Sequence, residues 1–219
     1  MNQPWVLPTI LSQPREAEAA QLLRQYFAAP AGQPAFSGSR FERFAGGGDR
    51  EQVANVVTAD DVIAVSMLSV HVPGGSALRL LGDVEKAVSE DISRLLALLP
   101  TDLELADASD DQLAPADELW TVLRRQGKLG PTTTSKLLAR KRPQLLPVMD
   151  SVVLNAVGHR RSTKTNFYRS LRDSLKADDS VLLKRLHRLR TESGVGPDIS
   201  DIRIFDVVVW MDGTRHRRE

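Results

Sequence analysis

From Trp120 to Val153 the chain reads WTVLRRQGKLGPTTTSKLLARKRPQLLPVMDSVV, and its punctuation leaves few ways to fold. A helix runs into Gly127 and Gly130, which bracket a turn able to adopt positive φ. Thr132, Thr133, Thr134 and Ser135 open a second helix, where free backbone N–H groups and hydroxyls can hold a phosphate. Lys136, Arg140, Lys141 and Arg142 follow at roughly helical spacing, with Leu137, Leu138 and Ala139 as packing residues. Pro143 stops this helix, and Asp150 or Ser151 caps a third, SVVLNAV. Each feature also has an ordinary structural reading. The hydroxyls can be caps, the cations a solvated helix end that suits the C-terminal dipole, and Asp150 a plain N-cap.

The rest of the chain reads as further helices. Residues 1–14 hold three prolines and form an irregular lead-in, and Glu16 to Phe27 has the apolar spacing of an amphipathic helix. Residues 28–48 are broken by Pro and Gly, and Phe36, Phe41 and Phe44 mark a short strand or an aromatic loop near residues 36–45. Thr58 to Asp61 is a capping box with Asp at N3, ahead of a buried helix ending at Pro73-Gly74-Gly75. Asp83 to Leu99 is a longer helix, Leu105 to Leu113 an acidic loop, and Pro115 a first-turn proline. Helices are expected at 166–175 and 179–190, the second capped by Asp178 or Asp179. Its Lys184, Arg185, Arg188 and Arg190 form a basic, solvated face. Ser200 to Met211 is a buried helix or, given its Val triplet, a strand.

These elements predict an all-α protein. It is one compact domain over 1–219, or two lobes: an acidic one over 1–115 and a basic one over 116–219 with the helical hairpin at 116–142. Residues 1–119 carry eight Lys/Arg and eighteen Asp/Glu, and residues 120–219 carry twenty-one and ten, although the whole chain is only +1. This asymmetry suggests either a polyanion-facing half or an acidic half docked on a basic one, within a chain or between two copies. With no cysteine, disulfides, thiolate nucleophiles, Cys-based zinc sites and Fe–S clusters are excluded, and no cofactor is expected. His71, His159, His187 and His216 lack metal-ligand spacing. Asp60-Asp61 fits a cap better than a metal site. No basic n-region precedes a long apolar h-region and no apolar run could span a bilayer, so a cytoplasmic protein without a membrane partner is the expectation.

The segment GKLGPTTTSKLL resembles the helix-hairpin-helix of the HhH-GPD DNA glycosylase superfamily. It has a Gly-containing turn, small residues at the next helix, a Pro-containing stretch and an Asp before an apolar helix. Lys128 stands where that family has its first turn glycine. The resemblance covers about thirty-five residues and implies an HhH-GPD-like architecture and a part in DNA repair. It also implies Asp150 as the catalytic Asp, stabilising an oxocarbenium-like sugar and helping to activate water on a flipped nucleotide. The family's Schiff-base lysine falls on Thr132, so lyase chemistry is not implied. Trp5, Phe36, Phe41, Phe44 and Trp120 are the aromatics available to a base pocket, though core packing suits each better. A second resemblance spans most of the chain. TADDVIAVSMLSVHVP, GPTTTSKLLARKRPQLLPVMDSVV and IRIFDVVVWM are similar to an uncharacterised actinobacterial family that implies no activity.

The leading expectation is a DNA-binding protein that contacts phosphates through Lys128, Gly130, Thr132, Thr133, Lys136, Arg140, Lys141 and Arg142. Arg160, Arg161 and Lys164 form a second basic loop. That loop, GHRRSTKT, lacks the glycine before Lys164 that a Walker A loop needs. The rival is a protein-interaction or structural module with no nucleic-acid role and no catalysis.

Overall fold

The computed structural model describes residues 5–159 and 164–215. Among these residues there are helices, 3-10 turns and loops but no strand. The α-helices are α1 (Glu16–Phe27), α2 (Ala59–Ser66), α3 (Gly74–Leu80), α4 (Lys86–Ala97), α5 (Asp110–Arg124), α6 (Pro131–Lys141), α7 (Ser151–Ala156), α8 (Lys164–Ser193) and α9 (Asp201–Arg215). The chain divides into two compact units, one of Met1–Ser39 with Met149–Glu219 and the other of Arg40–Val148. Neither boundary falls at the change of charge near 115–120.

In the discontinuous unit α1, α8 and α9 pack together, and α7 lies on α9. Almost all of α9 is buried, from Asp201 to Val209 and again at Met211. A helix covered on every side carries no amphipathic period, which is why helix and strand read alike from sequence there. Its buried Arg203 donates to Tyr26 Oη (2.9 Å) and the Gly38 carbonyl (3.1 Å) and pairs with Asp206. Phe36 stacks on Tyr26 with ring centres 5.2 Å apart, while Trp5 packs against Phe167 and Phe205. The basic face of α8 is partly committed: Arg188 bonds Glu16 at 2.9 Å, Arg185 donates to the Leu11 carbonyl, and Arg190 reaches Asp201 at 3.2 Å. Asp178 and Asp179 are not caps. With Ser180 they take left-handed φ values of 49°, 53° and 59° at a break inside α8.

In the continuous unit α6 packs against α2 and α5, and α4 lies on α5. Thr58 caps α2: its Oγ1 accepts from Asp61 N at 3.3 Å while Asp61 Oδ2 accepts from Thr58 N at 3.0 Å. Helix α5 begins earlier than expected. Ser109 and Gln112 form its capping box, which places Pro115 inside the helix rather than in its first turn. Helix α3 follows Pro73 where Gly74-Gly75 reads as a terminator. The 3-10 turns at Ser37–Arg40 and Phe44–Gly46 take the place of a strand near residues 36–45.

Candidate functional site

Helices α5 and α6 form the expected hairpin, but its two ends have opposite environments. From the middle of α6 to its far end four cations point inward: Lys136, Arg140, Lys141 and Arg142 are only 4%, 1%, 2% and 1% exposed. Long aliphatic stems let Lys and Arg cross apolar packing, but each charged head then needs internal acceptors. Arg140 donates through Nε to Asp61 Oδ1 (3.1 Å), through Nη1 to the Phe41 and Glu42 carbonyls (2.5 and 2.8 Å), and through Nη2 to the Phe44 carbonyl (2.6 Å). Lys141 Nζ reaches the Val53 carbonyl at 2.9 Å and Asp61 Oδ2 at 3.0 Å. Arg142 Nη2 donates to the Leu96 carbonyl (2.5 Å) and Asn55 Oδ1 (2.7 Å), Nε to the Leu99 carbonyl (2.7 Å), and Nη1 to the Ala54 carbonyl (2.8 Å). Lys136 Nζ donates to the Leu68 carbonyl at 2.7 Å.

This set of bonds has a structural logic. Leu96 lies in the last turn of α4 and Leu99 just beyond it; the Leu96 carbonyl already accepts from Leu99 N at 3.0 Å, and Arg142 adds a second donor to it and bonds the Leu99 carbonyl as well. Arg140 and Lys141 hold the irregular strap of residues 40–58, which has few backbone bonds of its own. Asp61 serves both as the N3 residue of α2 and as the buried counter-ion of two cations. Burial pushes the Lys141 ammonium below its ordinary value and Arg142 down to about 10, although nearby carboxylates pull the other way. Glycine is needed at position 48, because an added Cβ would lie 2.5 Å from the Arg140 carbonyl oxygen. The expectation that Lys136, Arg140, Lys141 and Arg142 touch phosphates is therefore corrected. They lie inside the unit rather than on its surface, and the described bonds of their charged heads go to internal carbonyls and Asp61.

The near end of the hairpin is open. Gly127 has φ +78° and closes the turn after α5. Gly130 is the N-cap of α6 and has no side chain to cap with, and Pro131 occupies the first turn. Arg125 and Lys128 are exposed and Arg124 is half-buried. Among the described residues, the side chains of these three make no hydrogen bond or ion pair. Gly130 and Thr132 are half-buried, whereas Thr133 is only 8% exposed and Thr134 and Ser135 are fully internal. Sequence reasoning passed over Arg124 and Arg125 because they close the preceding helix rather than open the next one.

Asp150 is the N-cap of α7, with Oδ1 accepting from Val152 N at 2.9 Å. Phe41 and Trp120 are core residues at 1% and 2% exposure. Arg160, Arg161 and His216 lie outside the described residues, as does the Lys164 side chain. Among the described residues no group of three or more His, Asp or Glu side chains could hold a metal, and no helix is long and apolar enough to cross a membrane.

The fold and the hairpin define an all-α protein of two units, with an internal cation cluster and an open helical turn. Residues 19–213 match the Family of unknown function (DUF6308), and the chain belongs to that family. No curated protein and no solved structure matches it.

Proposed function

We propose that the tip of the α5–α6 hairpin binds the phosphate backbone of DNA. One observation carries this reading: among the described residues the side chains of Arg124, Arg125 and Lys128 make no hydrogen bond or ion pair, and they flank the turn that leads into a helix N-terminus with no side-chain cap. The surrounding charge sharpens it. Arg40–Val148 holds thirteen Lys/Arg and sixteen Asp/Glu. Four of those cations and Asp61 are internal, so the remaining charges are acidic in balance, and the tip is the local exception. Binding is then short-ranged and confined to a few phosphates. Fluorescence anisotropy with duplex and single-stranded DNA at several salt concentrations tests this. Affinity should fall as salt rises, and changing Arg124, Arg125 and Lys128 together to Ala should abolish it. A wild-type chain that binds neither form at low salt, or a triple variant that binds as well as wild type, sinks the reading.

A glycosylase-like step through Asp150 extends this reading and rests on the resemblance of the hairpin. In a screen with damaged duplexes, Asp150→Asn should lose base release while keeping DNA affinity. No base release by the wild-type chain ends that extension and leaves Asp150 as the cap of α7.

A second reading, a protein-interaction module, is favoured by Leu78, Leu81 and Val84. They are 44%, 41% and 42% exposed along α3 and the turn after it. Sedimentation at low and high salt separates the two: association without DNA affinity supports the module.

A further inference from the structure

We infer that Arg79 is a fourth phosphate contact of the hairpin tip, restrained by an ion pair with Glu85. The inference rests on the tip reading but concerns a residue forty-eight positions away in sequence. Helix α3 abuts the turn: the buried Ser76 hydroxyl donates to the Gln126 carbonyl at 2.7 Å. A Cβ added at Gly127 would lie 3.4 Å from Ser76 Oγ and 3.6 Å from Arg79 Nη1. The Arg79 guanidinium therefore sits beside the same turn as Arg124, Arg125 and Lys128, on a helix fixed there by a buried hydrogen bond. The turn calls for glycine at 127 because its φ of +78° is one that other residues rarely adopt, whereas an added Cβ would meet α3 only at ordinary contact distance.

Arg79 differs from the other three in being partly engaged. Its Nη1 donates to the Gly75 carbonyl at 3.1 Å, and its Nε lies 3.4 Å from Glu85 Oε2. The guanidinium side chain is 34% exposed and Glu85 is 61% exposed, so the pair is solvent-screened and weak. A phosphate, which takes a planar guanidinium in bidentate geometry, competes well against such a partner. Glu85 thereby sets how readily Arg79 joins the site.

Salt titration of the full chain on one duplex tests this. Each phosphate neutralised contributes about −0.9 to the slope of log affinity against log salt, so four contacts give roughly −3.6 and three roughly −2.7. Arg79→Ala should bind several-fold more weakly and with the shallower slope. Glu85→Gln should bind more tightly than wild type. Arg50→Ala removes the same charge from the strap instead and should leave the slope unchanged. If wild type binds but Arg79→Ala keeps its slope and affinity, Arg79 is no contact and the tip reading stands without it. If Glu85→Gln binds no better than wild type, the restraint is wrong. If wild type does not bind, both this inference and the tip reading fall.

Discussion

The α5–α6 turn and the far end of α6 carry the same kinds of residue and do opposite things with them. At the C-terminal end Arg140, Lys141 and Arg142 make bonds to the carbonyls of residues 41, 42, 44, 53, 54, 96 and 99, and to Asp61. At the turn before α6, the side chains of Arg124, Arg125 and Lys128 make none among the described residues. Basic side chains in a run thus have two distinct uses. Where the neighbouring chain is irregular, cations serve as internal donors to its carbonyls, some of which, such as those of Phe44 and Val53, also accept from a backbone N–H. Beside the open turn between α5 and α6, where no such strap is packed, they remain available to a partner. A buried pair is weak evidence of stability but costly to break, since removing one partner strands the other.

The largest effect expected from this contrast is at Asp61. Asp61→Ala leaves Arg140 and Lys141 buried without a carboxylate and should cost about 3–5 kcal/mol in a urea unfolding experiment. A loss under 1 kcal/mol would mean that the carbonyls alone satisfy the cluster. Gly48→Ala comes next. The new Cβ must displace the backbone of α6 or the Arg140 side chain, which costs about 1–3 kcal/mol. An unchanged midpoint would show that the strap can slide off α6 without penalty.

Much of the helical framework was legible from sequence and the role of the cations was not, for identifiable reasons. Helix α1 spans the residues its apolar spacing predicts, and the Thr58–Asp61 box caps α2 as read. These signals are local. The hairpin was also legible, because Gly127, Gly130 and Pro143 act on their own backbone. The burial of Lys136 to Arg142 was hidden because their acceptors lie far off in sequence: the Arg140–Asp61 bond spans seventy-nine residues and the Arg142–Leu99 bond forty-three. Helical spacing cannot distinguish a solvated basic end from one covered by a strap that has no period. The same blindness concealed the unit boundaries, since the chain leaves one unit after Ser39 and returns at Met149.

A smaller expected effect concerns Asp150. If its main role is the α7 cap, Asp150→Ala should cost about 1 kcal/mol and Asp150→Asn much less, because Asn also caps well. Equal losses in the two variants would point instead to a need for the charge itself. The alkaline limb of the stability curve probes the buried end differently. Lys141 and Arg142 have folded values below those of the unfolded chain, so in that range the unfolded state binds more protons. Unfolding free energy should therefore rise with pH through the folded values, as the cost of burying charge is relieved. Measured against Lys141→Met as pH is raised towards the ordinary lysine value, wild type should gain ground. A gap that widens in favour of the variant would show that the Asp61 pairing outweighs desolvation.

The smallest effect on folding is expected at the tip, and it is the sharpest test of the comparison. Replacing Arg124, Arg125 and Lys128 by Ala removes three charges, yet no described bond ends at those side chains. Surface changes of this kind usually stay within about 0.5 kcal/mol each. Ala is also the better helix former at Arg124, the last residue of α5. The triple variant should therefore unfold at nearly the wild-type urea concentration while losing affinity for DNA. A single Arg142→Ala change at the buried end should do the reverse in kind, lowering stability by several times as much. If the triple variant instead unfolds as readily as Arg142→Ala, the tip cations are structural like their counterparts, and the distinction between the turn and the far end of α6 collapses.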